Sequence, residues 1–143
     1  MNRASAAAVA VTEKLNAETW SVAFTAVRTF QVNHKRADLE EIKVSVVPRS
    51  ATRQIEGRSS VKHIVQVDVG VQQAIDPGSL ADCDAMLDLL MEMADAFHMG
   101  TFVCGGVLAI CTEVEHDPLY VGEHLDQQRV FTGVITLSLT MYG

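Results

Sequence analysis

Hydrophobic and polar residues alternate in four stretches of this chain and follow a helical period in two. Residues 4 to 17 are rich in alanine, with Val9, Val11 and Leu15 among them, and read as a helix that packs close to a sheet. From Val22 to Val32 the even positions hold Val22, Phe24, Ala26, Phe30 and Val32, interrupted by Arg28, which predicts a strand. Ile42, Val44 and Val46 alternate with Lys43 and Ser45 in a second strand that stops at Pro48. Val61, Val65, Val67, Val69 and Val71 form the cleanest alternation, with His63 in the inward register. Between these two strands, residues 48 to 60 read as a polar, basic connection. It is long for its place, and the expectation is a loop that moves in the isolated subunit and is ordered by a neighbour.

Asp76-Pro77-Gly78-Ser79 announces the second helix, with Ser79, or Asp76 followed by Pro77, as the cap and Asp82 and Asp84 at its positive end. Cys83, Met86, Leu87, Leu90, Met93, Ala94 and Phe97 recur at helical spacing, and Asp84, Asp88, Glu92 and Asp95 fall on the other side as an acidic stripe. The helix stops near Gly100. Gly105-Gly106 turns into a strand carrying Leu108, Ile110 and Val114. A polar loop runs from Asp117 to Gln128, and the chain closes on Phe131, Ile135, Leu137, Leu139 and Met141 alternating with threonine and serine. The predicted order is α-β-β-β-α-β-β. It implies an α+β fold, a mostly antiparallel five-stranded sheet with two helices packed on one face, in a single domain over residues 1–143.

Composition refines this picture in one respect. The net charge is −7 over 143 residues, 48% of them hydrophobic, but the charges are unevenly placed. Arg28 to Lys62 holds eight bases and four acids, whereas His63 to Gln127 holds twelve acids and neither lysine nor arginine. A fold that separates these halves would present a self-complementary surface, the basic part of one copy meeting the acidic part of the next. Cys83, Cys104 and Cys111 are an odd set without paired spacing and read as reduced thiols. Arg3 to Val11 is too short and weak for a secretion signal, and no apolar run is long enough to cross a bilayer, so the expected protein is soluble and membrane-free.

No phosphate-binding glycine loop, nucleophile elbow or zinc helix is present. The segment with Glu113, Glu115, His116, Asp117, Glu123, His124 and Asp126 has the residue types for a divalent metal, and a small metal-dependent enzyme is the corresponding alternative. Its spacing is that of an ordinary polar loop, so no catalytic residue, metal or cofactor is assigned. His63 and His98 read as packing or capping residues. Arg49, Arg53 and Arg58 are the candidate contacts to acidic protein neighbours or to DNA phosphates. No aromatic residue lies beside them to stack on bases.

Several segments in order resemble a known family. Lys43-Val44-Ser45-Val46-Val47-Pro48-Arg49 precedes a polar stretch and then Val65-Gln66-Val67-Asp68-Val69-Gly70-Val71-Gln72. After the acidic helix come Asp117-Pro118-Leu119-Tyr120, Glu123-His124-Leu125 and Phe131-Thr132-Gly133-Val134-Ile135-Thr136-Leu137. This arrangement resembles the tail terminators of long-tailed bacteriophages and prophages, small proteins encoded among the head–tail joining genes. The resemblance implies a small α/β sandwich that works as a ring, usually hexameric, without enzymatic activity or cofactor. Its implied partners are itself, the tail tube protein and a head-closure or connector protein, with genomic DNA as a passing contact. Its implied place is the neck end of the tail in the virion, after synthesis in the bacterial cytoplasm. Another neck component, a head-closure or DNA-contacting adaptor, is the alternative. Arg49, Arg53 and Arg58 on one side, and Asp84, Asp88, Glu92 and Asp95 on the other, are the candidate contacts between copies or partners.

Overall fold

Asn2 opens the first helix in a computed structural model that describes residues 1–31, 39–116 and 119–142. Its Oδ1 accepts the Ser5 N–H at 2.8 Å and its carbonyl accepts the Ala6 N–H. The alanine-rich run then winds as α1 (Arg3–Ala17), burying Ala6, Ala7, Ala8, Val11 and Leu15. Trp20 Nε1 donates to the Leu15 carbonyl at 2.8 Å, closing the other end. The Asn16 amide then grips Ala26, giving its Nδ2 to the Ala26 carbonyl and taking the Ala26 N–H on Oδ1 at 2.7 Å. That exchange imitates a strand neighbour and starts β1 (Ala26–Arg28).

Strand β1 lies parallel to β2 (Lys43–Ile55), which pairs antiparallel with β3 (Val61–Ala74). After α2 (Leu80–Phe97) come β4 (Thr101–Cys104), β5 (Val107–Glu115), α3 (Gly122–Gln128) and β6 (Val130–Tyr142). The strands stand in the order β1-β2-β3-β6-β5-β4. Helix α1 touches β1, β2 and β3 on one side and β4 on the other, so the sheet curls around it. The inner face of β3 (Val65, Val67, Val69, Val71) and of β6 (Ile135, Leu137, Leu139, Met141) meets both long helices. Met86, Leu89, Leu90, Met93 and Phe97 supply the face of α2, and each fully buried side chain of this size contributes about 1.5–3 kcal/mol.

The expected five-stranded, mostly antiparallel sheet with two helices is therefore corrected, among the described residues, to a six-stranded mixed sheet with three helices. Four local reasons account for the difference. The alternation from Val22 is mostly a loop that folds apolar side chains over the end of the core. Trp20 stacks on Phe24 at 6.2 Å, and only Ala26–Arg28 pair as strand; Val32 lies outside the described residues. Strand β2 does not stop at Pro48: a bulge between Pro48 and Ser50 absorbs the missing N–H and pairing resumes to Ile55. The expected loop over residues 48 to 60 thus shrinks to a turn, with Gly57 at φ +85° and the Glu56 N–H on the Ser60 carbonyl. Strand β4 is too short to declare itself, and it joins β5 through Gly105 and Gly106, both at positive φ. Helix α3 buries no residue, so nothing periodic marked it.

Strand β5 also faces the other way from the expected register. Ala109 and Cys111 point inward, while Leu108 and Ile110 are exposed.

Candidate functional site

Past Val47 the strand β2 has no described neighbour on its outer side, and from Arg49 to Ile55 every residue is exposed. Together with the start of β3 it forms a hairpin arm that ends in the Glu56–Ser60 turn. The three arginines expected to act together leave this arm in three directions. The bulge turns Arg49 onto the outer face of the sheet, where Nη1 donates to Thr136 Oγ1 at 3.2 Å and lies 3.5 Å from Asp68 Oδ1. Thr136 in turn donates to Asp68 at 2.7 Å, so this guanidinium is already partnered. Arg53 pairs in register with His63 and therefore shares the inner face. Arg58 stands in the turn.

Between the inner face of the arm and the start of α1 lies a groove of about 620 Å³, whose walls include Arg3, Ala4, Ala51, Arg53, His63 and Val65. His63 is in the inward register, as its sequence position implies, and is 7% exposed. Arg3 was not among the residues singled out from the sequence. Fifty positions separate it from Arg53, and nothing local to either signals the meeting.

The acidic stripe lies on α2 as expected. Asp84, Asp88 and Asp95 are exposed, and Glu92 is half-buried, taking the Ser21 N–H at 3.0 and 3.4 Å on its two oxygens. The helix is capped by Ser79, whose Oγ accepts the Asp82 N–H, and Asp76 Oδ1 accepts from Gly78. From Asp84 to Asp95 the stripe runs about 16 Å at 1.5 Å per residue. The ion pairs among the described residues are Lys14–Glu18 and Arg49–Asp68, and neither touches the stripe. Positive and negative surfaces therefore coexist on one subunit without neutralising each other. Lys35 and Arg36, the rest of the basic stretch's centre, lie outside the described residues.

The outer face of the sheet carries a polar ladder. Ser50 donates to Gln66 at 2.8 Å, Gln66 to Ser138 at 3.4 Å, and Thr112 and Thr140 share a hydrogen bond of 3.1 Å. Further along, Gln72 Nε2 donates to Thr132 Oγ1, which also meets His124 Nδ1 of α3 at 2.9 Å. At the arm end the same face turns apolar, with Val103, Leu108, Ile110 and Tyr142 exposed.

The segment with metal-ligand residue types does not converge. His124 is turned to Thr132, Glu123 and Asp126 are exposed on α3, and Asp117 lies outside the described residues. Among the described residues no three His, Cys, Asp or Glu side chains gather as a metal would need. His98 is exposed at the end of α2, its N–H on the Ala94 carbonyl. Cys104 and Cys111 are buried, and burial pushes both thiols above their ordinary range, which disfavours the thiolate needed for nucleophilic work. Among the described residues no helix is long and apolar enough to cross a membrane.

Neither the protein-family models nor the curated proteins match this chain. Solved structures do: thirteen chains resemble it. One of them superposes with a TM-score of 0.55 at 15% identity, over 96% of this chain and 91% of its own. At that identity the likeness concerns the fold, which spans nearly the full length of both proteins.

Proposed function

We propose that this chain is a structural subunit that assembles with identical copies into a closed ring. The observation that carries this reading is the separation of charge: exposed arginines on and beside the hairpin arm, an exposed acidic stripe on α2, and no ion pair between them. Two different, complementary patches on one subunit favour a heterologous, head-to-tail interface over a two-fold one, because like patches repel in face-to-face pairing. The exposed β2 edge offers backbone groups that a neighbour can also use.

The resemblance to tail terminators supports a place for this ring at the neck of a long-tailed phage. There it would be a hexamer that caps the tail tube and presents its other side to the head connector. A DNA-contacting adaptor is less well supported, since Asp68 already partners Arg49 and Arg53 turns to the inner groove, leaving Arg58 alone at the tip. The test is solution mass by sedimentation across a salt series, followed by crosslinking on assembled phage particles. A ring that weakens as salt rises, with crosslinks to tube and connector proteins, is expected. Two-fold pairs only, or crosslinks away from the head–tail junction, would overturn the proposal.

A further inference from the structure

We propose that the groove between the start of α1 and the inner face of the hairpin arm is a carboxylate socket, filled by the acidic stripe of α2 from a neighbouring copy. The inference rests on the ring reading and names the site through which copies meet.

Four donors converge on this groove. His63 is more than nine-tenths buried and lines it, yet its ring makes no hydrogen bond, ion pair or ring contact with any described residue. Its ring nitrogens are not among the fully buried polar atoms, so they open on the groove, where a carboxylate can take the N–H that an imidazole always carries. Its partners in the sheet, Arg53 and Met141, offer no acceptor. Arg53 on the arm and Arg3 on α1 are exposed and have no carboxylate within ion-pair distance among the described residues. The fourth donor is the backbone at the head of α1. Asn2 takes the Ser5 and Ala6 N–H groups, while those of Arg3 and Ala4 have no acceptor in the helix or among the described residues. The positive end of a fifteen-residue helix adds to the same field. Among the described residues no acid lines the groove. Such a constellation asks for an anion.

The chain itself indicates which anion. A net charge of −7 disfavours approach to a polyanion such as DNA, and among the described residues no phenylalanine, tyrosine or tryptophan lines the groove to stack on a base. The same molecule exposes Asp84, Asp88 and Asp95 without cationic partners among the described residues. Asp84 and Asp88 are one helical turn apart, about 6 Å along the axis. In the proposed contact Arg3 takes one and Arg53 the other, with His63 and the α1 amides donating from the floor. Arginine suits this work because its planar fork binds a carboxylate through two N–H groups.

The experiment uses two charge-reversed versions of the full chain. One carries Arg3→Glu and Arg53→Glu, the other Asp84→Arg and Asp88→Arg. All four sites are exposed, so unchanged circular dichroism and thermal midpoints are expected. Each version alone should associate on the order of tenfold more weakly than the wild type, or not at all. Mixed in equal amounts they should recover assembly, because each reversed socket then meets a reversed stripe and the two versions alternate around the ring. A ring formed normally by the Arg3→Glu/Arg53→Glu version would overturn the socket while leaving the ring reading intact. Loss by both versions without recovery on mixing would overturn α2 as the occupant. Wild-type chain that stays monomeric under all conditions would overturn the ring reading and the socket together. Duplex DNA binding that vanishes with the socket version, while its self-association is unchanged, would reassign the groove to phosphate.

Discussion

Replacing Gly133 by alanine tests what seats α2, and hence what holds the acidic stripe in place. Gly133 lies on the inner face of β6 opposite Val71. A Cβ built there stands 2.5 Å from Leu90 Cδ1, 3.1 Å from Phe131 Cε1 and 3.2 Å from the Leu119 carbonyl oxygen. The first of these is the end of a flexible side chain, but Leu90 is fully buried, so it can yield only by displacing its neighbours. Overpacking of this kind costs about 1–3 kcal/mol. The backbone of Gly133 is not in the left-handed region, so alanine recovers about 0.4–1 kcal/mol by restricting the unfolded chain. The net expectation is a loss of about 1–2 kcal/mol. At about 2–4 °C per kcal/mol, that is a fall of roughly 2–8 °C in Tm.

The cause is separable from other effects by a double-mutant cycle. Leu90→Ala alone should cost about 2–5 kcal/mol through lost burial and a cavity. Combined with Gly133→Ala, the new methyl occupies space vacated by the leucine. The pair should then be less destabilised than the sum of the two singles by about 0.5–3 kcal/mol. Urea denaturation at constant m-value reads all four free energies. Additivity within about 0.5 kcal/mol, or a stabilising Gly133→Ala, would refute the account of α2 as held against β6 by the absence of a side chain at 133.

Three further outcomes follow from the thiols and the arm. In native protein Cys83, half-buried, should react with a thiol reagent, while Cys104 and Cys111 react only on unfolding; rapid labelling of all three would contradict the packing under β4 and β5. Burial raises the folded-state values of Cys104 and Cys111 above 9.0, so their contribution is complete below 9.0 and is lost as pH climbs through it and the unfolded thiols ionise. Stability between about pH 8 and pH 10 should therefore fall less steeply in a Cys104→Ala/Cys111→Ala variant than in the wild type. Along Arg49–Ile55, amide exchange should alternate, slow where the N–H pairs with β3 and fast where it faces the open edge. Uniformly fast exchange would restore the mobile loop that the strand pairing replaces.

The parts of the fold that were legible in the sequence are those where one element meets the core along its whole length. The valines of β3, the apolar residues of β6 and the apolar side of α2 each repeat often enough to show their period, and His63 fell on the inner face with them. Strand β5 misled because size is a poor guide where space is small. The alanine face of α1 comes so close to the sheet that an added Cβ at Gly105 would touch Ala6 Cβ at 3.6 Å. Ala109 and Cys111 occupy the inner face there, and the larger Leu108 and Ile110 are outside. The acidic stripe was legible because it depends only on helical spacing. The basic residues were not, because one bulge at Pro48/Ser50 decides which face each arginine takes, and a bulge leaves little trace in a polar sequence.

That bulge and the shortness of β1 also explain why the arm and the groove occur together. Among the described residues strand β1 covers β2 only at Val44 to Val46, so β2 leaves its outer partner before the bulge and continues as an edge with no described neighbour. A flat sheet would carry that edge away from the helices. Here the curl that brings β2 and β4 to the same helix brings the head of α1 beside the inner face of the arm, against Ala51 and Arg53. The donors at the head of α1 therefore face the bases of the arm, while α2, seated on β6 and β5, keeps its acids outward. Like charges gather on each surface, a local electrostatic cost that an opposite surface on a second copy removes. Because the two surfaces differ, satisfying one on a neighbour leaves the other free for the next copy, and association continues until the rotation between copies closes it.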